Sequence, residues 1–165
     1  VTRESIVITL SRMKKAKATA GLNSIPETIE IKNITTKSPL TELSYQKTPQ
    51  ILTRLEDFFT TIKPENDDFL VLTYSTGDIT ITASNRLIPA IKKYFKQKPT
   101  LDKPGLAALS LSIQTHYYDS PGVTYTFLKR IAAQNITLAE TITSYNEITF
   151  TFEQQHLGTI VELFS

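Results

Sequence analysis

The chain repeats itself. Ile79-Thr80-Ile81-Thr82 returns 69 positions later as Ile148-Thr149-Phe150-Thr151, and the same shift carries Ile88, Ile91 and Phe95 onto Leu157, Ile160 and Phe164. Upstream, Thr48-Pro49 matches Ser120-Pro121 at a shift of 72, so the first copy has three extra residues between its first helix and the next strand. They fall in the acidic loop Glu65-Asn66-Asp67-Asp68. Two copies of one supersecondary unit restrict the fold strongly, because each copy has to bury the same pattern of faces.

Each copy reads β-α-β-β-α. In the first, residues 28–36 alternate Ile29, Ile31 and Ile34 with polar residues and read as a strand, Lys37-Ser38-Pro39 as a turn, and residues 40–47 as a second extended stretch. Thr48 is a candidate N-cap and Pro49 suits a first helical position, with Ile51, Leu52, Leu55, Phe58 and Phe59 forming the apolar face of one helix. Residues 69–74 and 78–83 are strands joined at Ser75-Thr76-Gly77, a hairpin signal. A helix over 85–95 points Leu87, Ile88, Ile91, Tyr94 and Phe95 inward, with Pro89 early enough to be tolerated.

Residues 97–104, with two prolines and three charges, read as a linker. The second copy then runs strand 106–118, helix 121–134, strands 136–144 and 147–153, and helix 155–164. The predicted class is α+β: two ferredoxin-like βαββαβ units, each an antiparallel sheet with helices on one face. An N-terminal helix over residues 1–22 precedes them, with Ile6, Leu10 and Met13 as its apolar stripe and Gly21 as its stop. The units span 23–98 and 99–165. The second ends at Ser165 without a fourth strand, and strand 28–36 is available to complete it.

Composition excludes several function classes. Lys plus Arg number 18 against 16 Asp plus Glu, a balance too even to require nucleic acid or an anionic membrane. The basic run from Arg12 to Lys17 reads as the solvated face of a helix. With no cysteine, disulfides, thiolate metal sites and thiol nucleophiles drop out together. No apolar run approaches the roughly 18 residues of a membrane span, and the start is too polar for a signal peptide, so a cytoplasmic location is the default expectation. The chain begins at Val1 rather than Met, which leaves room for an upstream or partner domain.

The stretch richest in chemistry is His116-Tyr117-Tyr118-Asp119-Ser120-Pro121-Gly122-Val123, where a strand ends and a helix opens. Free amide N–H groups and the positive end of the helix dipole suit a carboxylate there. Gly122 admits close approach of a ligand, and Asp119 suits an ammonium group, so the loop is fitted to clamp a free α-amino acid. The alternative is a plain helix start, capped by Asp119 or Ser120 and opened by Pro121.

Asp119-Ser120-Pro121-Gly122-Val123, the helix running to Asn135-Ile136, and Thr143-Ser144-Tyr145-Asn146-Glu147-Ile148 together resemble the ACT domain, most closely the regulatory type of aspartokinases. The likeness covers about residues 106–164; a looser one, to archaeal ACT-domain regulators, takes in the whole layout. It implies amino-acid binding where paired domains meet, through Asp119, Ser120, Gly122 and Val123 of the loop and Asn135 and Ile136 at the start of the next strand. In the first copy Gln50 stands in place of the motif glycine and no Asn-Ile pair precedes the second strand, which makes that copy a structural partner.

An enzymatic reading has little support. His116 and His156 are the only histidines, and His156 matches Leu87 at a helix start. Glu140 and Glu147 flank a hairpin where carboxylates usually face solvent. No metal, cofactor or catalytic residue is expected. The expected function is a non-catalytic regulatory module binding a free amino acid at a domain or subunit interface, in a chain too short for an aspartokinase catalytic domain, and its expected assembly a homodimer; the competing reading is a ligand-free dimerisation or protein-interaction module.

Overall fold

The computed structural model describes residue 26 and residues 28–165. The expected N-terminal helix and its basic run lie outside the described residues. Six strands form one antiparallel sheet: β1 (Ile31–Gln46), β2 (Leu70–Tyr74), β3 (Asp78–Ser84), β4 (Leu101–Ile113), β5 (Leu138–Thr143) and β6 (Glu147–Glu153). Their order across the sheet is β2-β3-β1-β4-β6-β5. Five helices accompany them: α1 (Pro49–Leu55), α2 (Phe58–Ile62), α3 (Ile88–Phe95), α4 (Val123–Ala132) and α5 (Leu157–Phe164).

Local chemistry accounts for most of these elements. Thr48 caps α1, its hydroxyl accepting from the Ile51 N–H at 3.3 Å, and Pro49 follows at the first helical position. Alternation buries Ile79, Ile81 and Ala83 of β3 on one face, and Ile148, Phe150 and Phe152 of β6 on the corresponding face of the other half. The expected single helix after Thr48 is instead two. It breaks at Asp57, whose carbonyl accepts from the Thr60 hydroxyl and the Thr61 N–H. The break turns Phe58 and Ile62 into the core and leaves Phe59 58% exposed, so Phe59 is not on the buried face.

Two further expectations are corrected at the centre of the sheet. Lys37-Ser38-Pro39 does not turn the chain: β1 runs through it as a single strand whose register against β4 shifts between Lys37 and Leu40. Likewise residues 101–104 are not linker but the first part of β4. Pro39, Pro104 and Gly105, with φ +77°, sit where the register between the two long strands shifts, so the extended chain continues through an irregularity rather than a loop. Residues 40–44 of β1 pair with 101–106 of β4, and residues 31–37 pair with 108–113. Each long strand therefore lies in both halves of the sheet.

Two large cores result. Leu43, Tyr45, Ile79 and Ile81 pack with Ile51, Phe58, Ile91 and Phe95 of the first three helices. Leu109, Leu111, Phe150 and Phe152 pack with Phe127, Ile131, Ile160 and Phe164 of the last two. A third, small cluster of Leu40, Leu106 and Ala108, joined by Phe69 and Ala139, lies on the opposite face of the sheet.

That opposite face is folded onto itself. The Thr82 hydroxyl of β3 donates to Glu140 Oε2 of β5 at 2.8 Å. In a flat sheet those strands, four spacings apart, would stand about 19 Å from each other. The sheet therefore bends, bringing its two ends together with the helices outside. Glu140 is consequently half-buried, its carboxylate turned onto Thr82 of β3 rather than fully out to solvent as that hairpin reads from sequence.

Candidate functional site

The two copies build the same corner, where the first strand of a copy meets its hairpin. In the first, the Lys47 N–H donates to the Gly77 carbonyl at 3.1 Å, and Ser75 closes the hairpin by donating its N–H to the Asp78 carbonyl at 3.1 Å. In the second, the Ile113 N–H donates to Asn146 at 2.9 Å and the Ser144 N–H to Glu147 at 2.9 Å. The hairpins correspond at the same 69-residue shift.

What fills the corner differs. In the first copy the Lys47 ammonium sits 3.4 Å above the centre of the Tyr74 ring and donates to the carbonyls of Ser75 and Thr76. Cation–π attraction and charge-assisted hydrogen bonds hold it there. In the second copy Ile113 stands at that place, and residues 114–119 are inserted before the helix, whereas Thr48 follows Lys47 directly. The insertion forms a 3₁₀ turn, Thr115–Tyr117, and leaves a cleft of about 410 Å³. Tyr117 and Tyr118 wall it on one side, Thr143, Ser144 and Tyr145 on the other, with Tyr125 at the helix. No charged side chain is among its lining residues.

The loop is anchored from behind. The Glu30 N–H donates to the Tyr117 hydroxyl at 3.4 Å, Gln114 donates to the Glu30 carboxylate, and the Thr126 hydroxyl donates to the Pro26 carbonyl at 2.7 Å. His116 packs on Tyr117 with ring centres 4.1 Å apart. Tyr118 and Tyr145 lie across the cleft mouth, 5.2 Å between centres, and are 63% and 60% exposed.

Of the residues singled out from sequence, Ser120, Gly122 and Val123 line this cleft. Asp119 is exposed and not among the lining residues. Neither Asp119 nor Ser120 caps the helix, and Pro121 does not start it. Gly122 is the N-cap, in the left-handed region at φ 85°, with no side-chain cap bond, and the Ser120 hydroxyl instead donates back to the His116 carbonyl at 3.3 Å. The first amides of α4 thus have no side-chain acceptor.

Asn135 and Ile136 lie past the far end of α4, a helix about 15 Å long. Asn135 takes φ 56° and donates its N–H to Ala132, the left-handed turn that commonly ends helices, while Ile136 is buried in the second core. Within one chain they are not brought to the loop. The tyrosines were missed as cleft walls, although Tyr117, Tyr118 and Tyr145 all stand in the motif stretches quoted above.

No protein-family model matches the chain, and no curated protein does. Solved structures do. The regulatory subunit of aspartate kinase from Thermus thermophilus, in a ligand-free form, superposes with a TM-score of 0.60 at 10% identity, covering 81% of this chain and 94% of that one. A putative C-terminal regulatory domain of aspartate kinase from Porphyromonas gingivalis W83 gives 0.60 at 8% identity, covering 81% and 94%. The aspartate kinase of Clostridium acetobutylicum gives 0.63 at 12% identity, covering 82% of this chain but only 35% of that enzyme. The chain therefore has the ACT-like α+β fold of aspartokinase regulatory domains, and spans about a third of the whole enzyme. These neighbours lend no support to the looser archaeal resemblance. Among the described residues no helix is long and apolar enough to cross a membrane.

Proposed function

We propose that this chain is a non-catalytic regulatory module of two ACT-type subdomains, and that the second binds a free amino acid in the Tyr117–Tyr145 cleft. The observation that carries the reading is the corner itself: closed in the first copy by Lys47, open in the second because of residues 114–119. The Lys47 ammonium rests on the Ser75 and Thr76 carbonyls. Their counterparts, Ser144 and Tyr145, offer a ligand ammonium the same acceptors, while the uncapped amides at the start of α4 suit its carboxylate. Neutral walls fit a zwitterion, whose two charges cancel. Asp119, Asn135 and Ile136 contribute in this reading only through a second copy in a homodimer.

Thermal-shift screening of the intact chain against the twenty amino acids tests it. A ligand at 100 times its Kd adds about 2.7 kcal/mol of stability, and a shift of that size is expected for at least one. If none shifts the transition, the chain is an interaction module without a ligand.

A further inference from the structure

The bend of the sheet places Glu140 against Thr82, the cross-strand neighbour of Glu42. Glu42 of β1 is 8% exposed and faces the fold's inner side. Its cross-strand neighbours are Thr82 on β3 and Lys103 on β4. Thr82, fully buried, donates its hydroxyl to Glu140 Oε2 at 2.8 Å, and Thr73 of β2 donates to Oε1 at 3.5 Å. Glu140 itself is held by its N–H, which donates to the Thr151 hydroxyl of β6 at 2.9 Å. All six strands thus meet around two acids. Lys103, half-buried, is the one basic group acting on Glu42 among the described residues, and β2, β3 and β6 contribute hydroxyls alone.

We propose that Glu42 and Glu140 form a proton-operated latch between the two ends of the sheet, closed while Glu42 carries a proton and loosened when Glu42 gives it up beside Glu140. Glu140 bridges β5 to β2 and β3 beside the small apolar cluster of the same face, so repulsion directed at it acts on one of the contacts that keep the sheet folded over. The surroundings favour the protonated form. Burial, and then the charge of Glu140, hold the Glu42 carboxyl above its ordinary value of 4.5, with Lys103 pulling the other way. A proton bound more tightly in the folded state stabilises it at low pH, and that stabilisation is lost as pH rises through the raised value.

Spin labels at Lys93 on α3 and Lys129 on α4, both exposed, report the separation of the two halves in the intact chain. The distance distribution is expected to widen or shift outward between pH 4.5 and pH 8 in the parent protein and to stay narrow in Glu42→Gln, which keeps the shape without the charge. Glu140→Gln, which removes the repulsion from the other side, is expected to stay narrow as well and serves if Glu42→Gln does not fold. A parent distribution unchanged across that range, or an equal change in the Gln variant measured, overturns the proposal.

Discussion

Alanine substitution at three glycines separates backbone strain from steric conflict at the bend. A Cβ placed on Gly77, Gly105 or Gly158 meets no atom within 4 Å, so none of the three changes is opposed by packing. Only Gly105, at the register shift between β1 and β4, has a positive φ, +77°. A non-glycine residue in that region costs about 1–2 kcal/mol. Replacing glycine also narrows the unfolded ensemble, worth about 0.4–1 kcal/mol in the opposite direction. Gly105→Ala is therefore expected to destabilise by about 0.5–1.5 kcal/mol, a loss of about 1–6 °C in Tm for a chain of this size. Gly158→Ala, in the first turn of α5, is expected to stabilise by up to about 1 kcal/mol, and Gly77→Ala to be neutral or mildly stabilising. Urea unfolding of the three variants, with unchanged m-values, measures the differences. If Gly105→Ala proves as stable as the parent while the other two behave as stated, the left-handed bulge does not set the path of β4.

Tyr45 is 1% exposed and its hydroxyl has no hydrogen-bond partner, so Tyr45→Phe is expected to be neutral or to stabilise by about 1 kcal/mol in urea unfolding. Burial and the charge of Asp102 push its pKa up to about 12, against 10 unfolded; stability should thus fall as pH rises from 10 toward 12, and the Phe variant should lack that part of the slope. Gly122→Gln should weaken amino-acid binding by filling the approach to α4, and calorimetry with the amino acid found by screening reads the loss. Because Gly122 is a left-handed N-cap rather than a helical residue, the same change should also cost about 1–2 kcal/mol of stability.

Elements specified by their own neighbours were legible in the sequence. The hairpins at Ser75-Thr76-Gly77 and Ser144-Tyr145-Asn146 follow from alternation on either side of a turn, and α3 and α5 follow from apolar spacing. The long strands β1 and β4 were not legible, because Pro39, Pro104 and Gly105 carry the local signature of turns. Their extension is imposed by pairing with each other, a contact between residues about 65 apart that no local pattern encodes. Glu140 shows the same limit: its strand is apparent, but its partners Thr73 and Thr82 are set by the fold of the sheet. At the cleft, the loop was legible down to Ser120, Gly122 and Val123, while the walls formed by the hairpin required knowing which turn faces which loop.

The repeat also accounts for why the cleft proposed to take a ligand opens in the second copy and not at the matching corner of the first. Both corners keep the same backbone bonds, so the acceptor carbonyls of the hairpin are present twice. Lys47 is attached to the corner it fills, and a tethered group acts at an effective concentration of about millimolar or higher, which an untethered amine must outcompete. In the second corner the tether is absent: Ile113 supplies no ammonium, and residues 114–119, with their 3₁₀ turn, stand between the strand and the helix. At this corner the copies thus differ by one side chain and one short insertion on a shared scaffold, and under the function proposed above that difference is what leaves room for a ligand beside Tyr118 and Tyr145.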